Sequence, residues 1–292
     1  MKICLIIINY NGYNFFIKYL DKIIEQCIKN NIKLIISDDN SDDNSINYLT
    51  NRNITFTQNN GPRHGFAANV NNGILFAKSL DNFDYYIISN NDIECASIFF
   101  DILYKTIGHI NENFLNVGLI GFKEINQGDK IHFEKYNFEG YDYNNITQAK
   151  EIPGFFFLIK NDLIKSIGLF NEEYFMYGED NDYFHRAIKA GYKLVNTNIP
   201  IMHYSEGSSS NSKRTSWYVY RNSFLFAQLN LNLFATIKLF ASFINIIYNP
   251  FYKITSPSAN RIRRCGFFYN NYLLIKSFFW NFNYFIKKIK HG

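Results

Sequence analysis

The sequence predicts an α/β fold, a mostly parallel sheet flanked by helices, with an amphipathic helical extension after it. Two observations carry that prediction. Apolar, β-branched runs end abruptly in polar clusters three times. Leu5-Ile6-Ile7-Ile8 runs into Asn9-Tyr10-Asn11-Gly12, Leu34-Ile35-Ile36-Ser37 into Asp38-Asp39-Asn40-Ser41, and Tyr85-Tyr86-Ile87-Ile88-Ser89 into Asn90-Asn91-Asp92. Buried parallel strands read this way, and in an open α/β sheet the crevice at the strand carboxyl ends is where ligands bind. Three such edges imply a site for something polyhydroxylated and phosphorylated. The second observation is a division of charge. Residues 207–292 hold 12 Lys or Arg and no Asp or Glu, net +12, while residues 1–206 hold 18 basic and 25 acidic residues, net −7. Basic segments seek anionic surfaces, so a tail of separate character is expected; the α/β domain is assigned to 1–225 and the basic, aromatic-rich helical tail to 226–292.

The elements follow in order. Strands at 3–8 and 33–37 enclose a helix at 14–29, whose Phe16, Tyr19, Leu20, Ile23, Ile24, Cys27 and Ile28 form one apolar stripe. This is a βαβ unit with a right-handed crossover. A weak strand at 54–57 leads into the loop Asn59–Gly65, a helix at 66–80, the strand at 85–89 and a helix near 97–110. Val117–Phe122 reads as a strand, 123–150 as a long polar loop or hairpin over the site, and Phe155–Lys160 as a strand. Asn161 is placed as the N-cap of a helix at 162–167, and a helix from Gly178 stops at Gly191. In the tail, Leu233, Phe234, Ile237, Phe240, Ile244 and Ile247 share one face of a helix at 229–249. Residues 272–290 repeat the pattern with Leu274, Phe278, Phe282, Phe285 and Ile289. Asn230, Asn232, Lys238 and Asn245 argue against a membrane span. Basic amphipathic helices with aromatic faces suit an anionic membrane interface. The competing reading is a homodimer interface or a cap on the core.

A hydrophobic content of 47% supports a real core. Cys4, Cys27, Cys95 and Cys265 show no paired spacing and read as small buried hydrophobes in a reducing compartment, not as a disulfide frame or zinc site. The first apolar run is too short for a secretory signal, which places the expected body in the cytoplasm.

The residues able to carry chemistry cluster at the strand ends and at one helix start. Glu179, Asp180 and Asp182 lie where a helix macrodipole favours ionised carboxylates, and an Asp held ionised in a cleft can act as a general base. Plain helix capping competes with that role. Asp92 suits a hard cation such as Mg²⁺ or Mn²⁺, with His203 as a second ligand. Asp38 and Asp39 could accept hydrogen bonds from a base or ribose with Tyr10 stacking nearby, or form an Asx turn. Arg63 and His64 could pair with phosphate or base oxygens. No Gly-rich dinucleotide loop or Walker pattern follows the first strand, which argues against NAD enzymes and P-loop NTPases.

In order and spacing these segments resemble the family 2 glycosyltransferases, inverting enzymes of GT-A fold, and especially their rhamnosyltransferase-like branch. The resemblance rests on Ile8-Asn9-Tyr10-Asn11, Ser37-Asp38-Asp39-Asn40-Ser41-Asp42-Asp43, Gly65-Phe66-Ala67-Ala68 with Asn71 and Gly73, and Asn90-Asn91-Asp92. It continues through Pro153-Gly154-Phe155, Gly168-Leu169-Phe170-Asn171-Glu172, Tyr177-Gly178-Glu179-Asp180-Asn181-Asp182, Arg186, Gly191-Tyr192, His203 and Arg221-Asn222, and covers about residues 1–225. The resemblance implies that Tyr10, Asn11, Asp38, Asp39, Arg63, Asn71, Asn90, Asn91 and Gly154 bind a nucleotide-sugar. It further implies that Asp92 and His203 hold a divalent cation on the diphosphate, and that Asp180, with Glu179 beside it, is the catalytic base. The family's Asp-x-Asp motif reads Asn90-x-Asp92, one carboxylate fewer, which implies weaker or differently organised metal binding.

The expected activity is transfer of a sugar from a UDP- or dTDP-sugar to a bacterial surface glycan, such as lipopolysaccharide, O-antigen or capsule. A glycan or lipid-linked acceptor would be met on the inner face of the cytoplasmic membrane, with no nucleic acid among the partners. The alternatives are a sugar-1-phosphate nucleotidyltransferase, which would want a glycine-rich basic loop after the first strand, and a catalytically inactive scaffold of the same fold.

Overall fold

The computed structural model describes residues 1–126, 142, 145–204, 212–231, 233–248 and 266–291. Strand β1 (Ile3–Asn9) is buried along its whole length. It pairs in parallel with β2 (Lys33–Asp38) on one side and β4 (Tyr85–Asn90) on the other, and β3 (Phe56–Gln58) extends this half beyond β2. The β1–β2 crossover is α1 (Tyr13–Phe15), a π-helical turn (Phe16–Leu20) and α2 (Asp21–Lys29), which bury Phe16, Leu20, Ile23 and Cys27. A short α3 (Ser45–Asn51), α4 (Phe66–Leu80) and α5 (Phe99–Asn113) complete the front of the chain.

Beyond β4 the strand directions are mixed. Strand β8 (Phe156–Lys160) is antiparallel to β4, and β6 (Val117–Asn126) is antiparallel to β8. Strand β9 (Lys193–His203) is parallel to β6 and carries β5 (Ile93–Cys95) and β7 (Ile146–Ala149) as antiparallel neighbours. The nine-stranded sheet is therefore mixed, with its parallel character confined to the β3-β2-β1-β4 half and the β6–β9 pair. The segment at 123–150, expected to be a long loop or hairpin, lengthens β6 to Asn126 and supplies β7; residues 127–141, 143 and 144 lie outside the described residues.

Alternation along β1 and β4 sends side chains to both faces. Leu5, Ile7 and Ile87 pack with Phe16, Phe99 and Leu103 on one face, and Ile6, Ile8 and Ile88 with Val70, Ile74 and Phe184 on the other. Each such side chain, fully buried, contributes about 1.5–3 kcal/mol. Cys4, Cys27 and Cys95 sit in this core with burial pushing their thiols up, Cys27 to about 12, which makes them inert hydrophobes as expected; Cys265 lies outside the described residues.

Helix α6 (Asn161–Ile167) corrects one expectation. Lys160 holds the cap position without a side-chain bond, and Asn161 is the first helical residue. Helix α7 (Glu179–Lys189) follows, and the Gly191 N–H closes its end on the Ile188 carbonyl.

The chain forms two compact units, Met1–Glu173 with Tyr183–Ser205, and Tyr174–Asp182 with Glu206–Gly292. In the second, α8 (Ser212–Asn230), α9 (Leu233–Tyr248) and α10 (Phe267–His291) enclose a core of Tyr220, Phe224, Phe243, Ile246, Leu273 and Leu274. Among the described residues no helix is long and apolar enough to cross a membrane.

Candidate active site

The parallel half of the sheet brings its polar ends together. Asn9 and Asp38 are register partners at the ends of β1 and β2. Asn9 Nδ2 donates to Asp38 Oδ2 at 2.7 Å, and Asn91 Nδ2 donates to Asn9 Oδ1 at 2.8 Å. Asn9 thus ties three strand ends into one edge. Gly12 is required there, because a Cβ at this position would lie 2.1 Å from both Asn9 Oδ1 and Asn91 Nδ2.

Asp38 is fully buried. Its Oδ1 accepts from the Ser41 N–H at 2.8 Å and its Oδ2 from Ser41 Oγ at 2.6 Å. This is the Asx-type turn weighed from the sequence, and the carboxylate shapes the edge from within. Asn11 N–H donates to Ser41 Oγ at 2.8 Å and its Nδ2 to Asp42 Oδ1 at 2.5 Å, pinning the two loops side by side.

Asp39, also buried, organises the loop before α4. Its Oδ1 accepts from the His64 N–H (2.9 Å) and Asn59 Nδ2 (3.1 Å), and its Oδ2 from the Gly65 N–H (2.9 Å) and Arg63 Nε (3.3 Å). A carboxylate has about four lone-pair sites, and all four are taken. A ligand hydrogen bond to Asp39 must replace one of the two longer ones. Arg63 lies 3.7 Å from the Tyr10 ring centroid, a cation–π stack at the rim. Asn71 is engaged within the fold: its Nδ2 donates to the Phe170 carbonyl (2.9 Å) and Glu172 Oε1 (2.8 Å), and its Oδ1 accepts from the Phe170 N–H (2.9 Å). That buried amide braces α4 against the 170–172 segment.

Antiparallel β8 starts beside the end of β4, with Ser89 opposite Phe156. The Asn90 N–H donates to the Phe155 carbonyl at 2.8 Å, so the turn holding Gly154 borders Asn90. Strand β9 ends at His203, opposite Ile93. The imidazole stacks on Phe155 at 4.5 Å, its Nδ1 is 2.6 Å from Glu124 Oε1, and its Nε2 is 3.4 Å from Asp92 Oδ1. Burial works against its charged form, but Asp92 and Glu124 outweigh that and raise His203 to about 9. It is an imidazolium at neutral pH and would ligate a metal only after losing that proton. Asp92 is buried, and its Oδ1 accepts no hydrogen bond of good geometry. Held by the His203 ring but by no hydrogen bond of good geometry, that carboxylate oxygen fits a divalent cation. Among the described residues no group of three or more His, Cys, Asp or Glu could hold one alone, so substrate oxygens would have to complete the shell.

The acidic segment belongs to the second unit. Its three carboxylates differ. Asp182 is buried and accepts from Asn230 Nδ2 at 2.8 Å. Glu179 is buried with one oxygen unbonded; desolvation, reinforced by the charge of Asp180, raises its carboxyl well above the usual range. The macrodipole expected to favour the ionised form of all three is opposed at Glu179 by burial. Asp180 is half-exposed, and its Oδ1 accepts from the Asn181 N–H at 2.8 Å.

Sequence reasoning did not assign roles to Asn9, Ser41 or Glu124. For Asn9 a signal existed, since it ends β1 as Asp38 ends β2. Glu124 had none, lying in a stretch read as loop.

A sheet whose parallel half ends in amides and carboxylates, with an antiparallel strand delivering a glycine turn beside them, is the frame of a GT-A glycosyltransferase. Glycosyl transferase family 2 matches residues 4–168, more than half of the chain. The chain belongs to that family and is a glycosyltransferase. No curated protein matches it. Among solved structures, S. aureus TarS 1–349 is 15% identical with a TM-score of 0.55, covering 84% of this chain and 71% of that one. The mannosyltransferase PcManGT from Pyrobaculum calidifontis, in complex with GDP-Man and Mn²⁺, is 15% identical with a TM-score of 0.56, covering 90% and 74%. GalNAc-T7 with UDP, GalNAc and Mn²⁺ is 14% identical with a TM-score of 0.53, covering 78% of this chain and 50% of that one. At these identities the likeness is one of fold.

Proposed function

We propose that the protein is an inverting transferase that moves a sugar from a UDP- or dTDP-sugar to a hydroxyl of a bacterial surface glycan, with Asp180 as base. One observation carries the choice of base. Of the three carboxylates at the start of α7, Glu179 and Asp182 are buried, and Asp180 alone is half-exposed. A base must reach an acceptor hydroxyl, which neither buried group can do. Tyr10, Asn11, Arg63, Asn90, Asn91 and Gly154 offer stacking, amide and backbone groups to the nucleotide-sugar, over an edge shaped by Asp38 and Asp39. Asp92, joined by His203 once deprotonated, would hold a Mg²⁺ or Mn²⁺ ion, which when bound offsets charge on the diphosphate leaving group. Removal of the acceptor proton by Asp180 opposite the leaving group gives inversion without a covalent protein intermediate. The exposed Phe234, Phe268, Phe279, Phe282 and Phe285, in a region without acidic residues, suit an anionic membrane on the cytoplasmic face, where the acceptor would lie.

The test is Asp180→Asn, assayed as nucleoside diphosphate release from a panel of UDP- and dTDP-sugars. The variant should bind UDP and melt like the wild type yet transfer nothing measurable. Wild-type turnover would reject the assignment.

A further inference from the structure

The acidic segment is held by a chain of contacts that neither the sheet nor the nucleotide edge uses. It begins with backbone geometry: Tyr177, a bulky non-glycine residue, has φ 67°, and Gly178 follows at φ 91°. Two successive left-handed residues immediately before Glu179 and Asp180 make a turn that sparse backbone preferences alone would not keep. Asn222 of α8 keeps it. Its Nδ2 donates to the carbonyls of Met176 at 2.8 Å and Tyr177 at 2.5 Å, one amide hydrogen to each. Its Oδ1 accepts from Arg221 Nε at 2.7 Å, which fixes the amide's orientation. The Arg221 guanidinium lies 4.5 Å from the Trp280 ring centroid, and its carbonyl accepts from Asn281 Nδ2 at 3.0 Å, both on α10. Asn222 and Arg221 are 3% and 8% exposed. A buried amide with both hydrogens on one strained turn is well placed to set where the next two side chains stand.

We propose that Asn222 is a positioning residue for Asp180, and that α10 sets it through Trp280, Asn281 and Arg221. The inference rests on Asp180 being the base. It gives the helical unit a part in the reaction that is separate from any surface it docks on.

Asn222→Ala removes both donors to the turn. A displacement near 1 Å costs roughly 10²-fold in rate, so kcat should fall about 10- to 100-fold. Donor KM, and the Kd of UDP by calorimetry, should stay within about twofold, because the nucleotide edge is built elsewhere in the chain. A fall in kcat at unchanged donor KM and unchanged UDP Kd is a split that a merely structural role would not give. Should Asn222→Ala fail to fold, Asn222→Asp, which keeps the shape and the bond from Arg221 but faces the carbonyls with oxygen, decides on the same criteria. A wild-type kcat in these variants, or a UDP Kd that weakens in step with kcat, overturns the proposal. If Asp180→Asn itself transfers normally, the base assignment falls and this inference with it. If Asp180→Asn is inactive while the Asn222 variants are not, only this inference falls.

Discussion

Replacing Asp39 with asparagine tests whether one buried carboxylate holds the loop at the nucleotide edge. Asp39 is 2% exposed and accepts four hydrogen bonds, from the His64 and Gly65 N–H groups, Asn59 Nδ2 and Arg63 Nε. Asparagine matches it in shape, but one of its two terminal atoms is an NH₂ donor. Whichever way the amide turns, that donor meets two others, either His64 and Asn59 or Gly65 and Arg63. Hydrogen bonds to a charged group contribute about 1.5–3 kcal/mol each. Two lost bonds therefore cost about 3–6 kcal/mol before relaxation. The tip of the loop at Asn60–Pro62 is exposed and can shift, which recovers part of the loss. The expected decrease in unfolding stability is about 3 kcal/mol. Urea denaturation followed by far-ultraviolet circular dichroism reads it directly. Calorimetry with UDP should show weaker binding as well, since Arg63 is no longer steadied over Tyr10. A variant within about 0.5 kcal/mol of the wild type, the range of inert surface changes, would refute the reasoning.

Gly12→Ala should destabilise by about 1–3 kcal/mol, the usual cost of overpacking, because the new Cβ collides with the Asn9–Asn91 bridge; an unchanged urea midpoint would contradict that. Glu179→Gln bears on pH. The folded Glu179 holds its proton above its ordinary 4.5, so the unfolded chain ionises first and wild-type stability declines as pH rises from there through the folded value. The variant lacks that decline, and its melting temperature should gain on the wild type as pH rises above 4.5. A gap that stays constant with pH would rule out the raised carboxyl. Replacing exposed Phe279 and Phe282 with serine should weaken cosedimentation with phosphatidylserine vesicles without disturbing the core of Tyr220, Phe243 and Leu273. Undiminished sedimentation would count against the membrane surface.

Where burial and periodicity agree, the chain was legible. Helix α4 runs from 66 to 80 as its pattern predicts, and β1, β2 and β4 end within one residue of their expected limits. Short or exposed elements left no such trace. Helix α3 buries only Ser45 and Leu49, β5 has three residues, and β7 presents polar Thr147 and Gln148 to solvent. Nothing in Phe155–Lys160 reveals that this strand runs antiparallel, because both of its faces are apolar. The tail is instructive in another way. The stripe of Phe234, Ile237 and Ile244 on α9 is exposed, and the buried contacts are Phe243 and Ile246. On α10 the buried line is Asn270, Leu273, Leu274, Ser277 and Asn281, with Phe278, Phe282 and Phe285 outside. A helix that turns polar side chains inward and phenylalanines outward departs from the usual placing of the apolar face against the core. At the site, the strand-end carboxylates were found from their positions, but their hydrogen-bond loads were not visible. Asp38 and Asp39 serve the scaffold first.

The strap Tyr174–Asp182 has its partners far downstream, in Asn222 and Asn230 directly and in Trp280 and Asn281 through Arg221. During synthesis the sheet can be complete at His203 while the turn before Asp180 still lacks Asn222 and the α10 residues behind it. About 80 further residues must leave the ribosome first, several seconds of elongation at least. If the sheet edge binds nucleotide as proposed, a half-made chain would hold it before it could use it, and competence would arrive last.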